Sequence, residues 1–154
     1  MSIKQLFAKK RAKRAVNNTN KWAQNPIATQ EKVLKMLLQK AKNTAFGQDH
    51  GFAQIDSYED FVKQVPVRDY EGLRPYVDRV VAGEADILWP GKPRYFSKTS
   101  GTTSGVKYIP ISKESMPTHI KTAQNALFHY IHHSGNTSFV DGKMIFLQGS
   151  PILS

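Results

Sequence analysis

Tyr95-Phe96-Ser97-Lys98-Thr99-Ser100-Gly101-Thr102-Thr103-Ser104-Gly105-Val106-Lys107-Tyr108-Ile109-Pro110 is the stretch on which the fold turns. Small residues run unbroken from Thr99 to Gly105 between two short aromatic and β-branched runs, with Lys107 just beyond. Glycine lets the backbone turn sharply and approach a ligand closely, because no Cβ stands in the way. Ser and Thr hydroxyls and bare backbone N–H groups can ring an anion, and a lysine can neutralise part of its charge. Phosphate suits such a cradle.

The spacing is not that of a Walker A loop, which needs G-x-x-x-x-G-K-[ST] between a strand and a helix so that phosphate rests on the helix N-terminus. Here Gly101 and Gly105 are four apart, Lys107 follows Gly105 by two, and Tyr108 stands where Ser or Thr would hold Mg²⁺. The residue before a proline avoids helix, so Lys107–Ile111 reads as extended and the loop as a link between two strands. By composition alone these residues describe a ligand-free hairpin connection as well as an anion cradle.

The wording of Thr99–Lys107 resembles the phosphate loop of the adenylate-forming superfamily, usually [ST]-S-G-[ST]-[ST]-G-x-P-K. Ser104 is inserted and Val106 replaces the proline. That departure resembles the Gretchen Hagen auxin-responsive family of acyl acid–amido synthetases, in its bacterial-type form. Thr44–Phe52, Tyr58–Phe61, Val65–Tyr70, Gly83-Glu84 and Leu88-Trp89 resemble the same family's N-terminal region, so the likeness runs over roughly residues 30 to 150. It implies an α/β fold in which a helical N-terminal region leads into the start of a β-sheet with crossover helices. This is the N-terminal part of the large adenylate-forming domain, and such a chain is expected to be a fragment. It also implies an ATP-dependent ligase that adenylates a carboxylic acid and passes the acyl group to an amino acid amine. Thr99, Ser100, Gly101, Thr102, Thr103, Ser104 and Gly105 would then hold the ATP phosphates, with Lys107 as the catalytic cation. Mg²⁺ is implied as cofactor, with ligands in later family motifs that this sequence does not contain. The chain alone is expected to be inactive, and a cytoplasmic location is expected.

Length and charge bound the rest. With 154 residues the chain can bury one core, and without Cys it has no disulfide, thiolate zinc site or Cys nucleophile. Eleven of the 22 Lys and Arg lie in residues 1–42 against one of the 12 acids (Glu31), and the remainder is balanced. The organisation expected is a basic helical segment, 1–42, followed by one incomplete adenylating domain, 43–154. Lys4, Lys9, Lys10, Arg11, Lys13 and Arg14 could contact nucleic acid or an anionic membrane face. They equally suit the solvated face of a helix whose apolar residues are Ile3, Leu6, Phe7 and Val16. No apolar run of signal-peptide kind follows them. A basic nucleic-acid-binding protein and a non-catalytic α/β interaction domain are the alternatives to the enzyme.

Periodicity places the elements. Residues 17–27 read as a connection or short helix. Thr29 reads as an N-cap for an amphipathic helix with Val33, Leu34, Leu37, Leu38 and Ala41 on its apolar face, ending near Asn43. Phe46-Gly47 and His50-Gly51 read as turns. Ser57, with Asp60 three residues on, predicts a capped helix Tyr58–Gln64 stopped by Pro66. A further helix starts after Asp69, with Pro75 opening a second piece that Gly83 ends. Ser112 predicts a helix whose core face is Ile120, Ala123, Leu127 and Ile131, broken at Ser134-Gly135-Asn136, before a buried strand Lys143–Gln148. Strand, helix, strand suggests a βαβ unit. His129, His132 and His133 share a helical face, but no Cys and no nearby acid joins them, so no metal site is expected. Ser150 lacks the second glycine of a nucleophile elbow.

Overall fold

The computed structural model describes residues 2–99, 105–143 and 145. Ser2 starts the first helix, α1 (Ile3–Ala23), by a capping box with Gln5, and the helix takes in residues 17–23 of the stretch read as a connection or short helix. One face of α1 buries Ala12, Ala15 and Val16, while Ile3, Leu6 and Phe7 stay exposed. With the second half of α6 (Met116–Ser134) and a 3₁₀ turn at Ser138–Asp141, α1 makes one compact unit, which also buries Ile131 and Thr137. Ser2 Oγ and Gln5 Nε2 both donate to the Asp141 carboxylate, tying the start of α1 to that turn.

The second unit is residues 25–120. Helix α2 (Pro26–Ala41) begins at Asn25, not Thr29. Pro26 has the right φ for a first turn and lacks only an N–H that would have been orphaned there. Thr29 lies inside that turn and its hydroxyl donates to the Asn25 carbonyl. Leu38 and Ala41 are buried, whereas Val33 and Leu37 are largely exposed, so the buried stripe is narrower than the periodicity predicts.

Residues 45–49, read as part of a turn, form the short helix α3 (Ala45–Asp49). Its N-terminal donors are satisfied from three places. Thr44 Oγ1 accepts from the Gly47 N–H, and the Ala45 and Phe46 N–H groups donate to the carbonyls of Asp86 and Ile87. Helix α4 (Tyr58–Gln64) is capped by Ser57 and ends before Val65-Pro66, as the sequence predicts. Helix α5 is one continuous piece, Tyr70–Val81, with Asp69 as N-cap and Pro75 inside it. Pro75 leaves the Glu71 carbonyl without its intrahelical donor, a loss offset by the burial of Val77 and Val80 one turn on.

Among the described residues the sheet has two antiparallel strands, β1 (Tyr95–Lys98) and β2 (Tyr108–Ile111). Helix α6 follows, led in by Ser112, whose hydroxyl accepts from the Ser115 N–H. Of its expected core face only Ile131 is buried, and Ile120 and Leu127 are exposed. Gly135 ends it in the left-handed region. The strand expected at 143–148 lies outside the described residues apart from Lys143 and Ile145, neither of which is in a strand. The chain is therefore mostly helical, with a helical front end leading into a small sheet. Among the described residues no helix is long and apolar enough to cross a membrane.

Candidate functional site

The loop is set by the register of the hairpin beneath it. Tyr95 pairs with Ile111 and Lys98 with Tyr108. The same register runs one step further, where the Thr99 N–H donates to the Lys107 carbonyl at 3.1 Å. That bond closes the neck of the loop. In an antiparallel pair, hydrogen-bonded and non-hydrogen-bonded positions alternate. With Thr99 and Lys107 bonded, Tyr108 and Pro110 fall on the positions whose backbone nitrogens face away from β1. Pro110 thus sacrifices no ladder bond. The outward N–H of Tyr108 donates to the phenol oxygen of Tyr70 at 2.9 Å.

Tyr70 also meets the side chain of Lys107, whose Nζ stands 5.4 Å from the centre of its ring. This is within cation–π range. Tyr70 is the first residue of α5, where the Asp69 carboxylate caps the helix by accepting from the Gly72 N–H. The start of a rigid helix is thus set against the exit of the loop.

Of the residues expected to hold phosphate, Thr99 is exposed at the neck and Lys107 is half-buried on the far side of it. Gly105 has φ +78°, a conformation that favours glycine, and a side chain there would meet open space. Ser100, Gly101, Thr102, Thr103 and Ser104 lie outside the described residues. Tyr70 was not predicted as part of the site. It ends one of the family-like runs, but nothing in its neighbours marks its role. Near β2, Ile87, Trp89, Pro93 and Pro110 line a small apolar pocket of about 230 Å³. Trp89 Nε1 donates to the Glu114 carboxylate there. A backbone hydrogen bond, with that indole second, holds the Glu114 acid below its usual range.

Elsewhere, the six cations of residues 4–14 are all exposed, as a solvated helix face requires. The rings of His129 and His133 lie 6.2 Å apart, and His129 Nε2 is engaged with the Thr19 hydroxyl. Among the described residues no group of three or more His, Asp or Glu is placed to hold a metal ion.

Comparison with known proteins gives a consistent picture. The model of the GH3 family N-terminal domain matches residues 15–150. The indole-3-acetic acid-amido synthetase GH3.15 of Arabidopsis thaliana is 35% identical over 89 residues, which are 56% of this chain and 15% of that protein. The jasmonoyl–L-amino acid synthetase JAR6 of Nicotiana attenuata is 33% identical over 89 residues, with the same two shares. Among solved structures, the AtGH3.15 acyl acid amido synthetase in complex with 2,4-DB matches with a TM-score of 0.73 at 25% identity, over 81% of this chain and 22% of that one. The chain thus spans 15% of the length of these two curated relatives.

Proposed function

The chain belongs to the GH3 family, and on that premise we propose that it carries the phosphate-binding part of an ATP-dependent ligase joining a carboxylic acid to an amino acid. In the first step an acid carboxylate attacks the α-phosphorus of ATP, and pyrophosphate leaves as the acyl-adenylate forms. In the second, an amino acid amine attacks the acyl carbon and AMP leaves. Negative charge on the phosphoryl oxygens must be held through the first step, and fixed donors with a nearby cation are suited to that work. In this reading the Ser, Thr and backbone donors of 99–105 hold the phosphates, and Lys107 contributes the cation at the loop's exit. Mg²⁺ would neutralise further phosphate charge. No ligand set for it stands among the described residues, and no step is assigned to it here.

One observation carries the reading. A loop of phosphate-binding wording is closed at its neck by the Thr99–Lys107 bond, inside a chain of the GH3 family. The relatives, an indole-3-acetic acid-amido synthetase and a jasmonoyl–L-amino acid synthetase, support the reaction class. The test has two arms. MgATP binding is measured calorimetrically on the 154-residue chain, and acid-dependent exchange of labelled pyrophosphate into ATP on that chain and on any longer protein that contains it. Lys107→Ala, and Ser100→Ala combined with Thr102→Ala and Thr103→Ala, should each weaken binding by about 1.5–3 kcal/mol or more, the scale of a lost charge-assisted contact. Unchanged binding and exchange in both variants would reduce the loop to a plain connection between strands.

A further inference from the structure

We propose that Tyr70 is a positioning residue for Lys107, holding the peptide group that follows it and keeping its side chain in place at the loop's exit. The inference rests on the phosphate-loop reading above and extends it to a residue 38 positions upstream of Tyr108. It begins with one peptide unit. The Lys107 carbonyl accepts from the Thr99 N–H on the side of β1, and the N–H of the same peptide group, that of Tyr108, donates outward to the Tyr70 hydroxyl. The plane from which the Lys107 side chain springs is therefore gripped from both sides, by the neck of the loop and by the first residue of α5.

The side chain is gripped as well, and by a partner of a particular kind. Lys107 Nζ lies 5.4 Å from the centre of the same Tyr70 ring. A carboxylate in that position would neutralise the ammonium and compete with an incoming polyphosphate. An aromatic face attracts the cation through its quadrupole without cancelling its charge, and releases it at small cost. Tyr70 is also well placed to be rigid. Asp69 caps the helix it begins, and Val77 and Val80 anchor that helix in the core at 4% and 5% exposure. A long flexible lysine held this way loses less freedom when phosphate binds, and that is how positioning contributes to affinity.

The experiment is a double-mutant cycle between Tyr70 and Lys107 on the full chain, with MgATP as the probe and calorimetry as the readout. Tyr70→Leu removes both ring and hydroxyl, while Tyr70→Phe keeps the ring. Tyr70→Leu should weaken MgATP binding by about fivefold, the scale of a partly exposed cation–π contact. It should have no further effect in Lys107→Ala. Proton NMR should show the Lys107 ε-methylene shifted upfield by the ring current in the parent and in Tyr70→Phe. The Tyr108 amide should exchange with solvent faster in Tyr70→Phe, which has lost the acceptor. A Tyr70→Leu effect that persists undiminished in Lys107→Ala would show a general structural role and overturn the proposal. So would an unshifted ε-methylene in the parent. If Lys107→Ala weakens MgATP binding and folded Tyr70→Leu does not, the Tyr70 proposal falls and the loop reading stands. If the parent shows no MgATP binding, both fall. Should Tyr70→Leu not fold, Tyr70→Trp takes its place and is expected to keep both the ring-current shift and the affinity; loss of either overturns the proposal.

Discussion

The Nε2 atom of His50 accepts a hydrogen bond from the Arg68 guanidinium at 2.7 Å. A guanidinium only donates, so Nε2 carries no proton, and the proton of the neutral ring must sit on Nδ1. Nδ1 is placed to donate to the Phe46 carbonyl, also at 2.7 Å. The ring stacks on Phe46 with centroids 4.0 Å apart, and the Arg68 guanidinium lies 6.0 Å from the centre of the Phe46 ring. One tautomer thus joins α3 to the residues leading into α5.

Replacing His50 by Ala should destabilise the 25–120 unit by about 2–3 kcal/mol, from the lost bond to Phe46 and the lost ring contact. Urea unfolding followed by tryptophan fluorescence measures this, since Trp89 lies in the same unit. Long-range proton–nitrogen spectra of the folded chain should place the ring proton on Nδ1. A proton on Nε2 would refute the tautomer.

Thr44 is 1% exposed, and its hydroxyl donates to the Ala41 carbonyl while accepting from the Gly47 N–H. Thr44→Val keeps the shape but strands the Gly47 donor, a cost of about 1–3 kcal/mol. Gly47→Ala should cost at least as much, because its Cβ would overlap the Ala41 carbonyl oxygen, which is backbone and cannot swing away. Thermal unfolding of both variants should show lowered midpoints, with Thr44→Ser closer to the parent than Thr44→Val.

Asp60 sets an acid dependence. The Ser57 hydroxyl, first among its causes, holds the Asp60 carboxyl below the usual aspartate range. Its folded-state value is lower than its unfolded value, so its contribution to stability is present above about pH 3.9 and is lost as pH falls through the folded value. Asp60→Asn removes that dependence. Melting temperatures measured from pH 6 down to pH 2.5 should converge for parent and variant at the acid end, and the parent should be higher at the neutral end.

At the other unit, Ser2→Ala should fray the first turn of α1 at a cost of about 1 kcal/mol, as loss of an N-cap does. Ser2 both caps the helix and donates to Asp141, so faster exchange of the Gln5 amide should appear in Ser2→Ala and, more weakly, in Asp141→Ala. Equal exchange in parent and variants would show that the contact with the Ser138–Asp141 turn does not hold the helix end.

Family membership and the hairpin flanking the glycine-rich loop were both legible in the sequence. So were the starts of α4 and α5, because each cap, Ser57 and Asp69, reaches a backbone N–H only three residues on. A cap reads its own backbone and needs nothing distant. Where a local rule met packing, packing prevailed: Pro75 stays inside α5, and α3 forms where turns were expected because the 86–87 carbonyls complete its first turn.

The amino-acid order by itself determined the wording of the glycine-rich loop, its place between two strands, and the position of Lys107 at its exit. Only the tertiary structure decided what Lys107 rests on. Tyr70 and Tyr108 are 38 residues apart, and His50 and Arg68 are 18 apart. At such separations no periodicity or cap links one residue to the other. Their meeting depends on how α5 packs against β2 and on how α3 docks onto residues 86–87. Those placements follow from burying side chains such as Val77, Val80 and Ile87 together, a non-directional drive that leaves no mark on the spacing of the residues it joins.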